Sequence, residues 1–277
     1  MHSVSDLIKL ALEEDIGSGD ITTDYAVPEE TKGLGIIVAK ESLVLAGLEI
    51  AKQVFTHLDS TLFFESVFKD GDRVEKGETA LTVEGNMRAL LKGERTALNF
   101  MQHLSGIATL VRSYVEIIKN KPVRLVDTRK TTPGLRVLEK YAVRTGGGYN
   151  HRTGLYDGVL IKDNHIAACG GITPAVEKIR KQISHLVKIE VEVTNLVEVR
   201  EAIKAGAEVI MLDNMSLDQV REAVSVINGK ALVEVSGNVT AKTLSELADT
   251  GVDIISSGAL THSARSVDLS MRIKALI

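Results

Sequence analysis

The chain has a single cysteine in 277 residues, no tryptophan, only four prolines, and aromatic side chains at 4% of positions. One thiol, Cys169, excludes an intrachain disulfide and suits a reducing cytosol. No neighbouring residue type marks it as a nucleophile, so it reads as a small packing residue. With so few aromatics, the interior must be filled by Val, Ile, Leu and Ala, as buried parallel strands prefer. No apolar run is long enough to cross a bilayer. Residues 1–15 are amphipathic and acidic, unlike a signal peptide. A net charge of −4 argues against a general nucleic-acid binder, although it leaves room for a local cationic pocket. What is present, 44% hydrophobic and 25% charged residues, is ordinary for a soluble enzyme. The length suits one large α/β domain with a smaller partner.

The two halves follow different patterns. Residues 5–14 carry Leu7, Ile8, Leu10, Ala11 and Leu12 at helical spacing, with Ser5 or Asp6 as the expected cap. Residues 15–20 form a loop, 33–40 a strand and 51–58 part of a helix. Residues 61–68 and 79–84 read as short antiparallel strands with a turn at Lys69-Asp70-Gly71-Asp72. A long helix covers 94–119, with Gly106 a place for a bend. Beyond residue 121, apolar β-runs (123–126, 158–161, 188–193, 209–212, 231–235, 253–255) alternate with amphipathic helical stretches (195–205, 217–227, 240–250). Repeated βα units imply a parallel sheet. Six strands fall short of the eight in a complete barrel, which leaves an incomplete α/β barrel, with an open doubly wound sheet as the alternative. The expected domains are 1–107 and 108–277, with a last helix packing back on the N-terminal one.

Functional groups of parallel α/β folds collect at the carboxyl ends of strands. Here the six runs end in Asp127-Thr128-Arg129-Lys130, Lys162-Asp163-Asn164-His165, Glu190 and Glu192, Asp213-Asn214, Glu234 with Ser236-Gly237-Asn238, and Ser256-Ser257-Gly258-Ala259. Each alone is merely where a chain returns to water. Asn214 and Asn238 suit turns. Together, six such ends face one mouth. Glu190 and Glu192 alternate with Ile189, Val191 and Val193 and so share a face. Buried there, they need cations, and Lys162 and Arg129 are the candidates. On an edge strand they would simply be solvated.

Cations gather between residues 124 and 165. Arg136, Lys140 and Arg144 recur at helical spacing and read as a solvated helix face. Arg129, Lys130, His151, Arg152 and Lys162 fall in strand ends or loops, where they suit a multiply charged anion, arginine best because of its planar fork. Gly146-Gly147-Gly148 reads as a helix C-cap and loop and lacks the P-loop pattern.

The motifs Ala11-Leu12-Glu13-Glu14-Asp15-Ile16-Gly17-Ser18-Gly19-Asp20, Glu94-Arg95-Thr96-Ala97-Leu98-Asn99, Asp127-Thr128-Arg129-Lys130-Thr131-Thr132-Pro133-Gly134, Asn150-His151-Arg152, Leu160-Ile161-Lys162-Asp163-Asn164-His165, Glu190-Val191-Glu192-Val193, Met211-Leu212-Asp213-Asn214, Glu234-Val235-Ser236-Gly237-Asn238 and Ser257-Gly258-Ala259-Leu260-Thr261 resemble those of quinolinate phosphoribosyltransferases along essentially the whole chain. Thr145 stands where many relatives have Cys. The resemblance implies an N-terminal α/β sandwich and an incomplete, open α/β barrel. It implies a cytoplasmic homodimer with a shared active site, Arg95 entering the neighbour's site, and allows a hexamer. It implies quinolinate and phosphoribosyl pyrophosphate as substrates, Mg²⁺ as the cofactor without direct protein ligands, and no nucleic acid or membrane partner.

On the same resemblance Arg95, Arg129, His151, Arg152 and Lys162 bind quinolinate, Lys130 and Lys162 reach the phosphoribosyl group, and Thr128 belongs to the substrate-binding set. Glu192 and Asp213 hold the ribose, and the backbones of Ser236, Gly237, Asn238, Ser257, Gly258 and Ala259 cradle its phosphate. Lys130, Lys162, Glu192 and Asp213 form the catalytic set. Two rivals follow from the same residues. A nicotinate-using enzyme of this fold has no need to bind a second carboxylate. The turn Asp72-Arg73-Val74-Glu75-Lys76-Gly77-Glu78 resembles lipoyl and biotinyl domains, yet Glu84-Gly85-Asn86-Met87-Arg88 lacks their exposed lysine.

Overall fold

The computed structural model describes residues 3–276. In chain order its elements are α1 (Val4–Ile16), α2 (Ile21–Ala26), β1 (Lys32–Ala39), β2 (Leu43–Val44), α3 (Leu48–Leu58), β3 (Phe63–Glu65), β4 (Arg73–Val74), β5 (Thr79–Asn86), α4 (Met87–Ile118), β6 (Arg124–Val126) and α5 (Arg136–Thr145). There follow β7 (Val159–Ile161), α6 (Asp163–Cys169), α7 (Ile172–Arg180), β8 (Ile189–Val193), α8 (Leu196–Ala205), β9 (Val209–Asp213), α9 (Leu217–Ile227), β10 (Leu232–Ser236), α10 (Ala241–Ala248), β11 (Ile254–Ser256), α11 (Ala259–His262) and β12 (Leu269–Leu276).

Contacts group these into two compact units. One takes the chain up to Arg112, Thr132–Gly147 and the chain from Ser263 on; the other takes Ser113–Thr131 and Gly148–His262. The boundary expected at residues 107 and 108 falls inside α4.

In the first unit the cap of α1 is Ser3, earlier than expected. Its hydroxyl accepts from the Asp6 amide while the Asp6 carboxylate accepts from the Ser3 amide, a reciprocal pair that satisfies two orphan donors. A four-stranded sheet runs in the order β12-β1-β5-β3. The expected last helix is instead the strand β12, antiparallel to β1 from Leu269 to Leu276. Its pattern Leu-Ser-Met-Arg-Ile-Lys alternates with period two, which suits a strand better than a helix. α4 runs unbroken through Gly106. A Cβ there would lie 2.1 Å from the Arg265 carbonyl oxygen, so the glycine admits the close passage of the chain that leads into β12. On α5 the expected solvated face holds only in part. Arg144 is exposed, but Lys140 is buried and so is Glu139.

In the second unit six parallel strands follow the order β6-β11-β10-β9-β8-β7. The order has two ends, β6 and β7, so the sheet is an open α/β arrangement and not a closed barrel. Helix starts are set locally. Asn195 accepts from the amides of Val197 and Glu198, and Ser216 and Thr240 form reciprocal caps on α9 and α10. Because the strands are parallel, their carboxyl ends lie along one edge of the sheet.

Candidate functional site

That edge carries a cavity of about 660 Å³, lined by polar residues from every strand end. All the residues expected at the site except Arg95 line it: Thr128, Arg129 and Lys130 after β6, His151 and Arg152 before β7, Lys162 after β7, Glu192 and Asp213 on β8 and β9, Ser236, Gly237 and Asn238 after β10, and Ser257, Gly258 and Ala259 after β11. Arg95 lies exposed on α4.

Asp127 anchors the cationic side. Fully buried, its carboxylate accepts from Asn150 Nδ2 at 2.6 Å and from the His151 amide at 2.9 Å. Tyr149 is bridged to β6 by the Tyr149 amide to the Leu125 carbonyl, 2.9 Å. The segment bearing His151 and Arg152 is thereby pinned beside the end of β6. Asp157 then takes the amides of Thr153 and Gly154, stiffening the turn that follows. Arg152 donates through one terminal nitrogen to the Gly158 carbonyl at 3.0 Å. The Nε atoms of Arg129 and Arg152 are both buried without a hydrogen-bond partner. Burial, and then the nearby Arg129 guanidinium, lower the Arg152 pKa from its ordinary value. Two repelling guanidiniums with unused donors form a site for an anion able to accept from both.

Across the cavity Lys162 donates to Glu192 Oε2 at 2.5 Å. This is the pairing expected for Glu192, whereas Glu190 pairs with His151, Nε2 to Oε2 at 2.9 Å, rather than with Lys162 or Arg129. Lys130 is shaped from below: its amide donates to Thr128 Oγ1, its carbonyl accepts from Thr261 Oγ1, and a Cβ on Gly258 would come within 2.7 Å of its Cδ.

Beside Asp213 the backbone takes an unusual course. Asn214, Gly237 and Asn238 all have positive φ, at 53°, 93° and 51°. Asn214 donates to Asp213 Oδ2 at 2.9 Å and accepts from Asn238 Nδ2 at 3.3 Å. A Cβ on Gly237 would sit 2.1 Å from Asn214 Oδ1, so only glycine fits. The two asparagines serve turns and line the cavity as well.

Four fixed cations (Arg129, Lys130, Arg152, Lys162) face three carboxylates (Glu192, Asp213, Glu234) here. Glu234, Asn214, Ser256 and His262 also line the cavity and were not among the expected site residues. Glu234 was visible at a strand end. What was missing was the register: it stands opposite Met211, as Glu192 does from the other side of β9. The arrangement suits multiply charged anions.

Comparison with known proteins agrees with this geometry. Residues 20–105 match the model of the quinolinate phosphoribosyl transferase N-terminal domain, and residues 107–272 that of its C-terminal domain. The chain is 49% identical over 260 residues to a probable nicotinate-nucleotide pyrophosphorylase [carboxylating] of Bacillus subtilis, covering 94% of this chain and 90% of that one. It is 49% identical over 265 residues to a protein of the same description from Synechocystis, covering 95% and 90%. Its fold matches the crystal structure of NadC from Streptococcus pyogenes with a TM-score of 0.95 at 45% identity, covering 99% of this chain and 97% of that one.

Proposed function

From the premise that the chain belongs to the quinolinate phosphoribosyltransferase family, we propose that it joins quinolinate to phosphoribosyl pyrophosphate, releasing nicotinate mononucleotide, pyrophosphate and carbon dioxide in NAD biosynthesis. The observation that carries this reading is the pair Arg129 and Arg152, with buried, unpaired Nε donors in one cavity. Quinolinate brings two carboxylates, and this wall gives them two guanidiniums with His151 and Lys162 beside them. Lys130 and Lys162 also reach the phosphoribosyl substrate. The backbones of Ser236, Gly237 and Asn238 and of Ser257, Gly258 and Ala259 receive its 5′-phosphate, and the side-chain-free Gly237 and Gly258 permit close approach.

Glu192 and Asp213 hold the ribose hydroxyls. As pyrophosphate departs, C1 of the ribose gains positive character, and the two carboxylates stabilise it. The pyridine nitrogen, held in line by the arginines, attacks C1. The pyridinium so formed accepts the electron pair as the C2–carboxylate bond breaks, carbon dioxide leaves, and C2 takes a proton. Orientation of two bound reactants supplies much of the rate.

The donor set fits Mg²⁺ that keeps its waters. Glu192 and Asp213, hydrogen-bonded to Lys162 and Asn214, would hold a hydrated Mg²⁺ through its waters rather than as direct ligands. When bound there it neutralises the leaving pyrophosphate. The reading extends to a cytoplasmic homodimer in which Arg95 completes the second copy's site. The exposure of Arg95 on α4 supports it.

Incubation with quinolinate, phosphoribosyl pyrophosphate and Mg²⁺ tests the reading: nicotinate mononucleotide and carbon dioxide form in equal amounts. Turnover of nicotinate in place of quinolinate, without carbon dioxide, would overturn it.

A further inference from the structure

Behind the arginine wall lies a group that the mechanism above does not use. Glu190 on β8 and Glu234 on β10 flank the intervening β9, and both approach one imidazole. His151 Nε2 is 2.9 Å from Glu190 Oε2 and 3.9 Å from Glu234 Oε1. Glu190 is 7% exposed and Glu234 2%. The Oε1 atom of each is buried and takes no hydrogen bond. Two bare carboxylates buried side by side repel each other and lack solvation, and a single proton shared between them relieves both costs.

We propose that Glu190 and Glu234 hold one proton between them, so that beside His151 they form a floor of reduced negative charge beneath the substrate carboxylates, and that losing this proton in alkaline solution ends tight binding of the dicarboxylate. The inference rests on the function proposed above and adds a positioning role for two residues outside the catalytic set.

Burial, and then the Glu190 carboxylate, push Glu234 up to about 8. Apart from His151, which Glu234→Gln leaves in place, the groups around the cluster offer no substitute for this titration. Asp127 is engaged by Asn150 and the His151 amide. Glu192 is engaged by Lys162. Arg129 and Arg152 stay charged throughout the range. Ser256 contributes a neutral hydroxyl to Glu234.

The sign follows from counting charges. At neutral pH the acid pair, holding one proton, carries one negative charge beside His151. Once Glu234 ionises, the floor carries one further negative charge beside Arg129 and Arg152. The substrate carboxylates are ionised throughout, so they meet more repulsion than before. At short range in a partly buried site this weakens binding by about tenfold.

Two measurements test the proposal. The KM for quinolinate is expected to rise about tenfold between about pH 7 and about pH 9.5 in the wild type, with kcat changing less, and to stay flat in Glu234→Gln, which keeps the shape of the protonated acid. An equal rise in Glu234→Gln, or a flat wild-type profile, overturns it. Infrared spectroscopy of the unliganded wild type in heavy water should show a protonated-carboxyl band that persists at neutral pH and fades near about pH 8. Its absence at neutral pH overturns the proposal without reference to turnover or to any variant. If Glu234→Gln does not fold, Glu190→Gln serves, since one acid beside His151 has no second acid with which to share a proton. The three side chains also bring possible ligand atoms within 4.8 Å of one another, so a stoichiometric metal ion in the purified protein, lost in Glu234→Gln, likewise counts against the shared proton. An enzyme that makes no nicotinate mononucleotide at any pH defeats the functional reading instead, while the infrared result still decides the proton.

Discussion

Lys162 and Glu192 meet at 2.5 Å, joining the cation that follows β7 to a carboxylate on the neighbouring β8 at the rim of one cavity. The ammonium remains 44% exposed while the carboxylate is 15% exposed. The pair therefore aims Glu192 more than it stabilises the fold. Glu192→Gln keeps the size and one acceptor but removes the charge that on the proposed mechanism meets the developing oxocarbenium. It is expected to lower kcat by about 10²–10³-fold while changing either KM by less than about threefold. Steady-state kinetics check this, and a large KM change with intact kcat would assign Glu192 to ground-state binding instead.

Arg129 and Arg152 each turn a buried, unpartnered Nε donor toward the cavity in which we propose that quinolinate binds. Replacing either with alanine removes a charge-assisted hydrogen bond worth about 1.5–3 kcal/mol. The KM for quinolinate should rise by roughly 10- to 100-fold, and that for phosphoribosyl pyrophosphate should change far less. Arg→Lys at either position restores the charge without the fork, so it should recover only part of the loss. Near wild-type kinetics in Arg129→Ala would remove that residue from the site.

Gly237 has φ of 93° and no room for a methyl group beside Asn214. Gly237→Ala must move Asn214, whose side chain holds Asp213. The expected outcome is a loss of about 1–3 kcal/mol of stability together with a rise in the KM for phosphoribosyl pyrophosphate. Thermal melts and kinetics measure the two effects separately. An unchanged KM would show that this backbone does not receive the phosphate.

Much of this was legible because strands and charges obey simple periods. All six β-runs of the second half became strands within a residue or two, and their polar ends lie along one edge because parallel strands leave them no alternative. Other features depend on partners distant in the chain, which no local pattern encodes. β12 required β1. Lys140 shares the helical spacing of Arg136 and Arg144, yet it lies on the buried side of α5, since spacing tells which residues share a face and not what covers it. The contact of Glu190 with His151 rather than Lys162 depends on Asp127 pinning the His151 segment, a contact made across 24 residues of sequence.

Glu139 gives the first unit a sensitivity to acid. It is fully buried on α5, and burial alone would raise its pKa. Hydrogen bonds from His103 Nε2 at 2.9 Å and the Thr132 amide at 3.2 Å outweigh that, and the carboxyl is lowered from 4.5. A carboxyl depressed in the folded state stabilises the protein above its unfolded value, and that stability is lost as pH falls through the folded one. Thermal stability should therefore hold down to about pH 4.5 and decline below it. In His103→Ala, burial prevails and the decline should start at a higher pH. Coincident pH profiles for the two proteins would show that His103 does not set the charge of Glu139.

Arg95 stands apart from the residues that line the cavity, exposed on α4 with Thr96 and Ala97 buried behind it. A guanidinium with no role in its own subunit's core is a natural contribution to a second copy's site. If the site is shared, Arg95→Ala and Lys162→Ala damage different halves of it. In a heterodimer of the two variants one site collects both defects and the other collects neither. The heterodimer should thus recover about half the wild-type activity per dimer, since one of its two sites is intact, while each homodimer stays nearly inactive. Two different affinity tags isolate the heterodimer, and its turnover is compared with both parents. If purified heterodimers are as inactive as the parents, Arg95 does not complete a neighbour's site, and Arg129, His151, Arg152 and Lys162 must then hold the dicarboxylate within one subunit.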